Sequence, residues 1–317
     1  MREAAISYHL QPDAPLLDEV RRIADDQIAA AIRSLQSADD DLEGSVHDAR
    51  KRFKKIRALL RLVRPGLGTT YKRENALFRD LGRSLAEVRD VQVMAQTTRK
   101  LAKSADNDAA VQLLAPVEKW CGERRARVIG RRQPAEQAAQ CCEELSRVRR
   151  RLPSWQLKKA DDPMSALAGG IRKTYKRARN RHDEAVVAPE PACLHEWRKR
   201  VKYHWYHCRL LREAWPAMMK PRIAALDALA SRLGDEHDLA VLVATLRKEE
   251  PEGVPEANRR FAEGLAIRLG GELRQQAFAA APKLFVERPD ALADRLKRCW
   301  ASAILIATRF PGAASSS

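Results

Sequence analysis

Apolar residues along this chain recur every three or four positions and almost never every second one. Between Val46 and Arg64, the residues Phe53, Ile56, Leu59, Leu60 and Val63 fall on one side of a helical wheel. His47, Arg50, Lys51, Lys54, Arg57 and Arg61 fall on the other. Between Leu194 and Leu211 the same division sets Trp197, Val201, Cys208 and Leu211 against His195, Arg198, Lys199, Lys202 and Arg209. The pattern predicts further helices from about Leu16 to Leu35, Tyr71 to Thr98 and Asp106 to Gly130, and from beyond Pro134 to Arg151. In the second half it predicts Met164 to Ala188, Pro221 to Lys248, Glu256 to Ala280 and Asp290 to Phe310. Strand-like runs of Val, Ile, Thr and Tyr are nearly absent, and Gly and Pro number only 14 and 16. The composition is that of an all-α protein.

The two basic helices are copies of one another. His47, Arg50, Lys51, Arg52 and Lys54 stand 148 positions before His195, Arg198, Lys199, Arg200 and Lys202, and Arg61 stands the same distance before Arg209. The offset holds without a gap through Leu81, Leu85, Asp90 and Val93, which meet Leu229, Leu233, Asp238 and Val241. The chain therefore reads as a tandem repeat. Unit one spans residues 10–155 and unit two 164–310, joined across Pro153 to Pro163 and followed by a tail, 311–317, expected to be disordered. Ser45 is expected to cap the first basic helix, with Asp48 closing a capping box. That would set His47 in the first turn, beside free amides and the positive end of the helix dipole.

Charge narrows the function. The formal net charge is +17, which points to polyanionic partners: nucleic acid, acidic membrane or polyphosphate. A solvated helix face normally mixes signs so that acids and bases pair. The stripe from His47 to Arg61 holds cations and no acid, and repels itself unless an anion lies on it. The six cysteines form no C-x-x-C pair and read as reduced thiols of a cytoplasmic protein. No apolar run is long enough to span a bilayer, so no membrane insertion is expected. No Gly-rich phosphate loop, Mg²⁺-type carboxylate cluster or nucleophile–base pair is present, and the chain is read as a binding protein without catalytic residues or cofactors. Oligomeric state is not encoded in any recognisable pattern.

Several residues carry more than one reading. The paired histidines fit phosphate donors, phospho-acceptors or metal ligands; a metal site needs converging partners that unit one lacks, and no metal is expected. His204 and His207 lie on the inward half of their wheel and are expected to pack or hydrogen-bond. Asp90 and Asp238, beside Arg89 and His237, are expected to form structural ion pairs, as are Arg52 and Arg200 at the flank of the apolar face. Arg33, Arg181, Lys173, Lys176 and Arg177 are candidate outer contacts. The clusters at Arg124 to Arg132 and Arg147 to Arg151 read as solvated faces or an outer approach for the anion. Trp205 and Tyr206, near the second stripe, keep a sequence-indifferent nucleic-acid binder open as the alternative.

A His-x-x-Arg-Lys-Arg-x-Lys helix, followed some 40 residues on by Leu-x-x-x-Arg/His-Asp and then repeated once, resembles the CHAD (conserved histidine α-helical domain) family over nearly the whole chain. The resemblance implies two helical bundles related by a pseudo-two-fold axis, with basic faces lining a shared groove or pore. It also implies binding of inorganic polyphosphate, and for some members residence on polyphosphate granules. The residues carried over are His47, Arg50, Lys51, Lys54, Arg61, His195, Arg198, Lys199, Lys202 and Arg209. Arg57 comes from periodicity alone, since unit two has Trp205 there. Many such domains follow a CYTH triphosphatase, whose Glu-x-Glu-x-Lys signature is absent here. Residues at i, i+3, i+4 and i+7 lie ~5–6 Å apart on a helix face. The stripe from His47 to Arg61 spans roughly 21 Å, room for several consecutive phosphates.

Overall fold

The structure, a computed structural model, describes residues 7–131, 133–157 and 163–310. The expected tail, 311–317, and residues 158–162 of the link between the units lie outside the described residues. Twelve α-helices and two short 3-10 turns, with no strand, make up the described residues. The all-α expectation holds.

Helix α1 (Leu16–Gln36) buries Val20, Ile23, Ala24, Ile28, Ala31 and Leu35. Helix α2 (Leu42–Leu62) buries Val46, Ala49, Phe53, Ile56, Leu59 and Leu60, so the stripe of Arg50, Lys51 and Lys54 faces away from the core, whereas Lys55 is buried over the Tyr8 ring. Its cap differs from expectation. Asp41 is the N-cap and accepts from the Gly44 N–H at 2.9 Å, while Ser45 is buried inside the helix. The Asp48 carboxylate is taken by the Ser34 hydroxyl at 2.9 Å and by Arg52 at 3.1 Å, so it closes no capping box. His47 consequently stands in the second turn, beyond the free amides.

The short helix α3 (Arg64–Leu67) ends at Gly68, whose φ of +55° turns the chain into α4 (Thr69–Ser84). The single helix expected from Tyr71 to Thr98 is broken at Leu85, and α5 (Ala86–Lys103) continues from there. Two side chains serve the break. The Ser84 hydroxyl donates to the Leu81 carbonyl at 3.0 Å, and the Arg50 guanidinium donates to the Gly82 carbonyl. Helices α6 (Asp108–Ile129) and α7 (Gln133–Arg151) complete the first half. Buried Glu74 of α4 takes a bidentate bond from Arg151 of α7, both contacts 2.9 Å.

The second half consists of α8 (Pro163–Val187), α9 (Pro191–Leu210), α10 (Pro216–Glu249), α11 (Glu256–Phe285) and α12 (Pro289–Arg309). Helix α10 runs unbroken for 34 residues through Leu233, the position matching the Leu85 break. The halves do not close separate cores. One large core joins Ile56 and Leu59 of α2 to Tyr175 of α8, Trp197 and Val201 of α9, and Leu229 of α10. A smaller core joins Met94 of α5 and Trp120 of α6 to Leu242 of α10 and Ala262 of α11.

The seam between halves is close. A Cβ at Gly170 of α8 would lie 1.7 Å from the Leu62 carbonyl oxygen at the end of α2. Buried His207 of α9 lies 3.0 Å from the Ala58 carbonyl of α2, which it meets as a donor through Nε2. Burial pushes the His207 imidazole down to about 3, opposed by that hydrogen bond. Two outcomes are expected. Gly170→Ala should cost about 1–3 kcal/mol of stability through overpacking, seen as a lower denaturant midpoint; an unchanged midpoint would show that the seam yields. Because the His207 imidazole is depressed below its unfolded value of about 6.5, its contribution is complete above that pH. It is lost progressively as pH falls from about 6.5 towards 3. Stability measured across this window should rise with pH, and His207→Gln should flatten the rise.

Candidate anion-binding cleft

The apolar faces of α2 and α9 are fixed in the shared core, and this aims part of each cationic stripe into one cleft of about 1030 Å³. Arg50 and Lys54 come from α2, and His195, Arg198 and Lys199 from α9. Arg89 and Asp90 of α5 and His237 and Asp238 of α10 form further wall, and Arg124 and Arg127 of α6, with Arg131 just past its end, line it as well. Arg124 and Arg131 are neutralised by Glu249 at 2.8 Å and Glu87 at 3.0 Å. Among the described residues no carboxylate closes an ion pair with Arg50, Lys54, Arg198 or Arg127. The Nε atoms of Arg50 and Arg198 and Nδ1 of His195 are buried without a hydrogen-bond partner. The two guanidinium nitrogens are donors in need of an acceptor.

The electrostatics record the crowding. Lys54 is solvent-accessible at the cleft, yet surrounding protein and the charges of Arg50, Arg198, Lys202 and Arg89 push its ammonium down to about 7. Desolvation is the largest cause, with the repulsions following. Burial also lowers Arg50, against the pull of Asp90, and lowers Lys202, which feels Arg198. The rings of His195 and His237 lie against each other, tilted by 36° with centroids 4.3 Å apart. Desolvation and then neighbouring cations depress His195, and burial with His195 and Arg198 depresses His237 to about 4. His47, at the edge beside Arg89, is lowered in the same way. At neutral pH the cleft's own cations thus favour neutral imidazoles. Burial raises Asp90 and Asp238, against the pull of Arg50 and Arg198 respectively.

Not every sequence-predicted residue is gathered here. His47, Lys51 and Lys202 flank the cleft without lining it. Arg57 and Arg61 turn instead to Asn75 of α4, at 3.3 and 2.6 Å, and Arg61 stacks on Tyr203 at 4.1 Å. The reason is length: α2 spans roughly 31 Å, and its C-terminal half is enclosed by α4, α8 and α9. Arg209 lies over Trp205 at 4.9 Å and Tyr8 at 5.6 Å. Lys202 covers Trp205 as well, at 5.0 Å, so that indole is a support for cations rather than a free stacking platform.

Of the outer candidates, Arg33, Lys173, Lys176 and Arg177 are exposed on α1 and α8, and Arg181 pairs with Glu184. None of them lines the cleft. Arg52 and Arg200 hold Asp48 and Glu196, each at 3.1 Å, in i,i+4 pairs 148 positions apart. Asp90 and Asp238 depart from expectation. They line the cleft, and among the described residues neither closes an ion pair, because Arg89 donates to Gln92 at 2.5 Å and Arg50 to Gly82. The sequence reads the cluster from Arg124 to Arg132 as a solvated face or an outer approach for the anion, and the structure puts Arg124, Arg127 and Arg131 in the lining. Its i, i+3, i+7 spacing was the available signal, but nothing local says that α6 faces α9 and α10. No group of three His, Cys, Asp or Glu among the described residues is placed to hold a metal ion. No described helix is long and apolar enough to cross a membrane.

The family model of the CHAD domain matches residues 22–247. The chain belongs to the CHAD domain family. The CHAD domain from the plant Ricinus communis superposes with a TM-score of 0.55 at 19% identity, covering 93% of this chain and 94% of that one. PptA from Streptomyces chartreusis superposes with a TM-score of 0.54 at 16% identity, covering 85% of this chain and 100% of that one. At such identities these likenesses establish the fold. A search of curated proteins gives no match. In this CHAD chain the cleft unites α2 and α9, the two helices that carry the histidine motif.

An ammonium poised near neutrality should be a nucleophile. With a limiting acylating reagent at pH 7.5, Lys54 is expected to be modified well ahead of exposed Lys103. Equal labelling of the two by peptide mass analysis would contradict the depressed value.

Proposed function

We propose that this CHAD chain binds inorganic polyphosphate in the cleft between α2 and α9, without catalysis, in the cytoplasm and on polyphosphate granules. The observation that carries the reading is the convergence of Arg50, Lys54 and Arg198 in one cavity, where among the described residues no carboxylate closes an ion pair with any of the three. Polyphosphate is a flexible chain of repeated negative charge with no bases. Its receptor needs cations in a row, forked donors from Arg and point charges from Lys, and no aromatic platform. The flanking residues His47, Lys51 and Lys202 extend the row at the edges of the cleft, with neutral imidazoles acting as N–H donors to phosphate oxygens.

A sequence-indifferent nucleic-acid binder is the competing reading, and Trp205 under its two cations argues against base stacking there. The test is a competition titration of long-chain polyphosphate against single- and double-stranded DNA and RNA at near-physiological salt. Polyphosphate should win by orders of magnitude, and its affinity should fall steeply as salt rises. Lys54→Glu and Arg198→Glu should each weaken polyphosphate binding by at least ~tenfold with unchanged helicity. Reversal of Arg57, outside the cleft, should matter less. Equal affinity for all polyanions, or full binding by the folded Lys54→Glu variant, would remove this assignment.

A further inference from the structure

A second groove, of about 1150 Å³, shares no lining residue with the cationic cleft. Its floor is one face of α12, where Cys299, Ser302, Ala303 and Ala307 recur at helical spacing and leave a flat, small-residue surface. Trp215 stands at its edge with 52% of its surface exposed. Trp120, Trp155, Trp197 and Trp300 are all 9% exposed or less. Tryptophan is seldom left so open, and this one is held in place: its carbonyl accepts from the Met218 and Met219 N–H groups at 3.1 and 2.9 Å at the start of α10. The backbone is fixed while the indole face stays available.

The charges around the groove are unevenly matched. Arg212 is neutralised by Glu213 at 2.7 Å, and Glu213 also lies 3.5 Å from His9. Lys220 and Arg298 have no carboxylate within ion-pair distance among the described residues, and Asp13 is the remaining acid of the lining. A fixed aromatic face, an apolar neighbour in Ile306, a flat floor and three cations without a carboxylate partner among the described residues, Lys220, Arg298 and Arg209 (the last held over Trp205 and Tyr8), together fit an anion with a planar ring attached. A purely inorganic anion has no use for the indole. An acyl chain would find an open floor rimmed by charges.

We propose that this groove binds a nucleotide, with its base stacked on Trp215 and its phosphates held by Lys220 and Arg298. This site is independent of the polyphosphate reading, and the experiment separates the two. The full chain carrying Lys54→Glu and Arg198→Glu, which disables the cleft, is titrated with ADP and with inorganic pyrophosphate by calorimetry and tryptophan fluorescence. ADP should bind at least ~tenfold tighter than pyrophosphate and quench the exposed indole. Adding Trp215→Ala should lower ADP affinity about tenfold and leave pyrophosphate binding unchanged. Lys220→Glu with Arg298→Glu, read in place of the tryptophan variant should that one misfold, should weaken ADP through the phosphate half. In the otherwise native chain, Trp215→Ala should not alter binding of long-chain polyphosphate. Equal binding of ADP and pyrophosphate, ADP affinity indifferent to both sets of substitutions, or no ADP binding at all would overturn the proposal.

Discussion

Everything in this molecule depends on holding like charges together, and apolar burial is what holds them. Arg50, Lys54, Arg198 and Lys202 stand near enough for each ammonium to feel its neighbours. The helices that carry them would separate if charge alone decided the geometry. Phe53, Ile56 and Leu59 on α2 and Trp197 and Val201 on α9 are fully or almost fully buried. Each large side chain so buried contributes about 1.5–3 kcal/mol, enough in sum to outweigh repulsion across a solvated cleft. The His207 contact with the Ala58 carbonyl adds a directional tie between the same two helices.

The repulsion that remains is stored in protonation states and unmet donors. A lowered lysine, two imidazoles held in contact and depressed towards the neutral form, and guanidinium nitrogens lacking acceptors all describe a cavity strained towards taking up negative charge. The carboxylates on its walls relieve this only in part: Glu249 and Glu87 pair with Arg124 and Arg131, while Asp90 and Asp238 close no ion pair among the described residues. An anion arriving there would restore the ordinary protonation of Lys54 and fill hydrogen bonds that the protein leaves open. Affinity of this kind is prepared in the folded state and requires no rearrangement of helices.

Helix identity and the split of α2 and α9 into apolar and cationic faces were legible from residue periodicity, because an apolar face must find a core and a cationic face must avoid one. What periodicity does not carry is the third dimension. The stripe on α2 read as one continuous track, yet Arg57 and Arg61 are captured by Asn75 and Tyr203, residues of helices that only the fold brings near. The Leu85 break was invisible because the flanking sequence keeps a helical rhythm, and its cause lies partly in Arg50, 35 positions earlier. Ser45 looked like a cap because it precedes the cations. Asp41, four positions before it, does the capping because the helix begins earlier, with a polar first turn. The α6 arginines had the right spacing and were set aside, since a basic face by itself does not say whether it looks into solvent or into a cavity.

The sharing of both cores between halves bears on how the chain emerges from the ribosome. When α7 has been made, α2 still lacks α8 and α9, and α5 and α6 still lack α10 and α11. Synthesis of the remaining residues takes on the order of ten to thirty seconds at typical translation rates. During that interval the nascent first half displays bare apolar faces beside a dense basic stripe, in a compartment crowded with ribosomal RNA. The first half is therefore a segment that calls for chaperone cover until its partner is translated, even though each of its helices is well encoded by its own sequence.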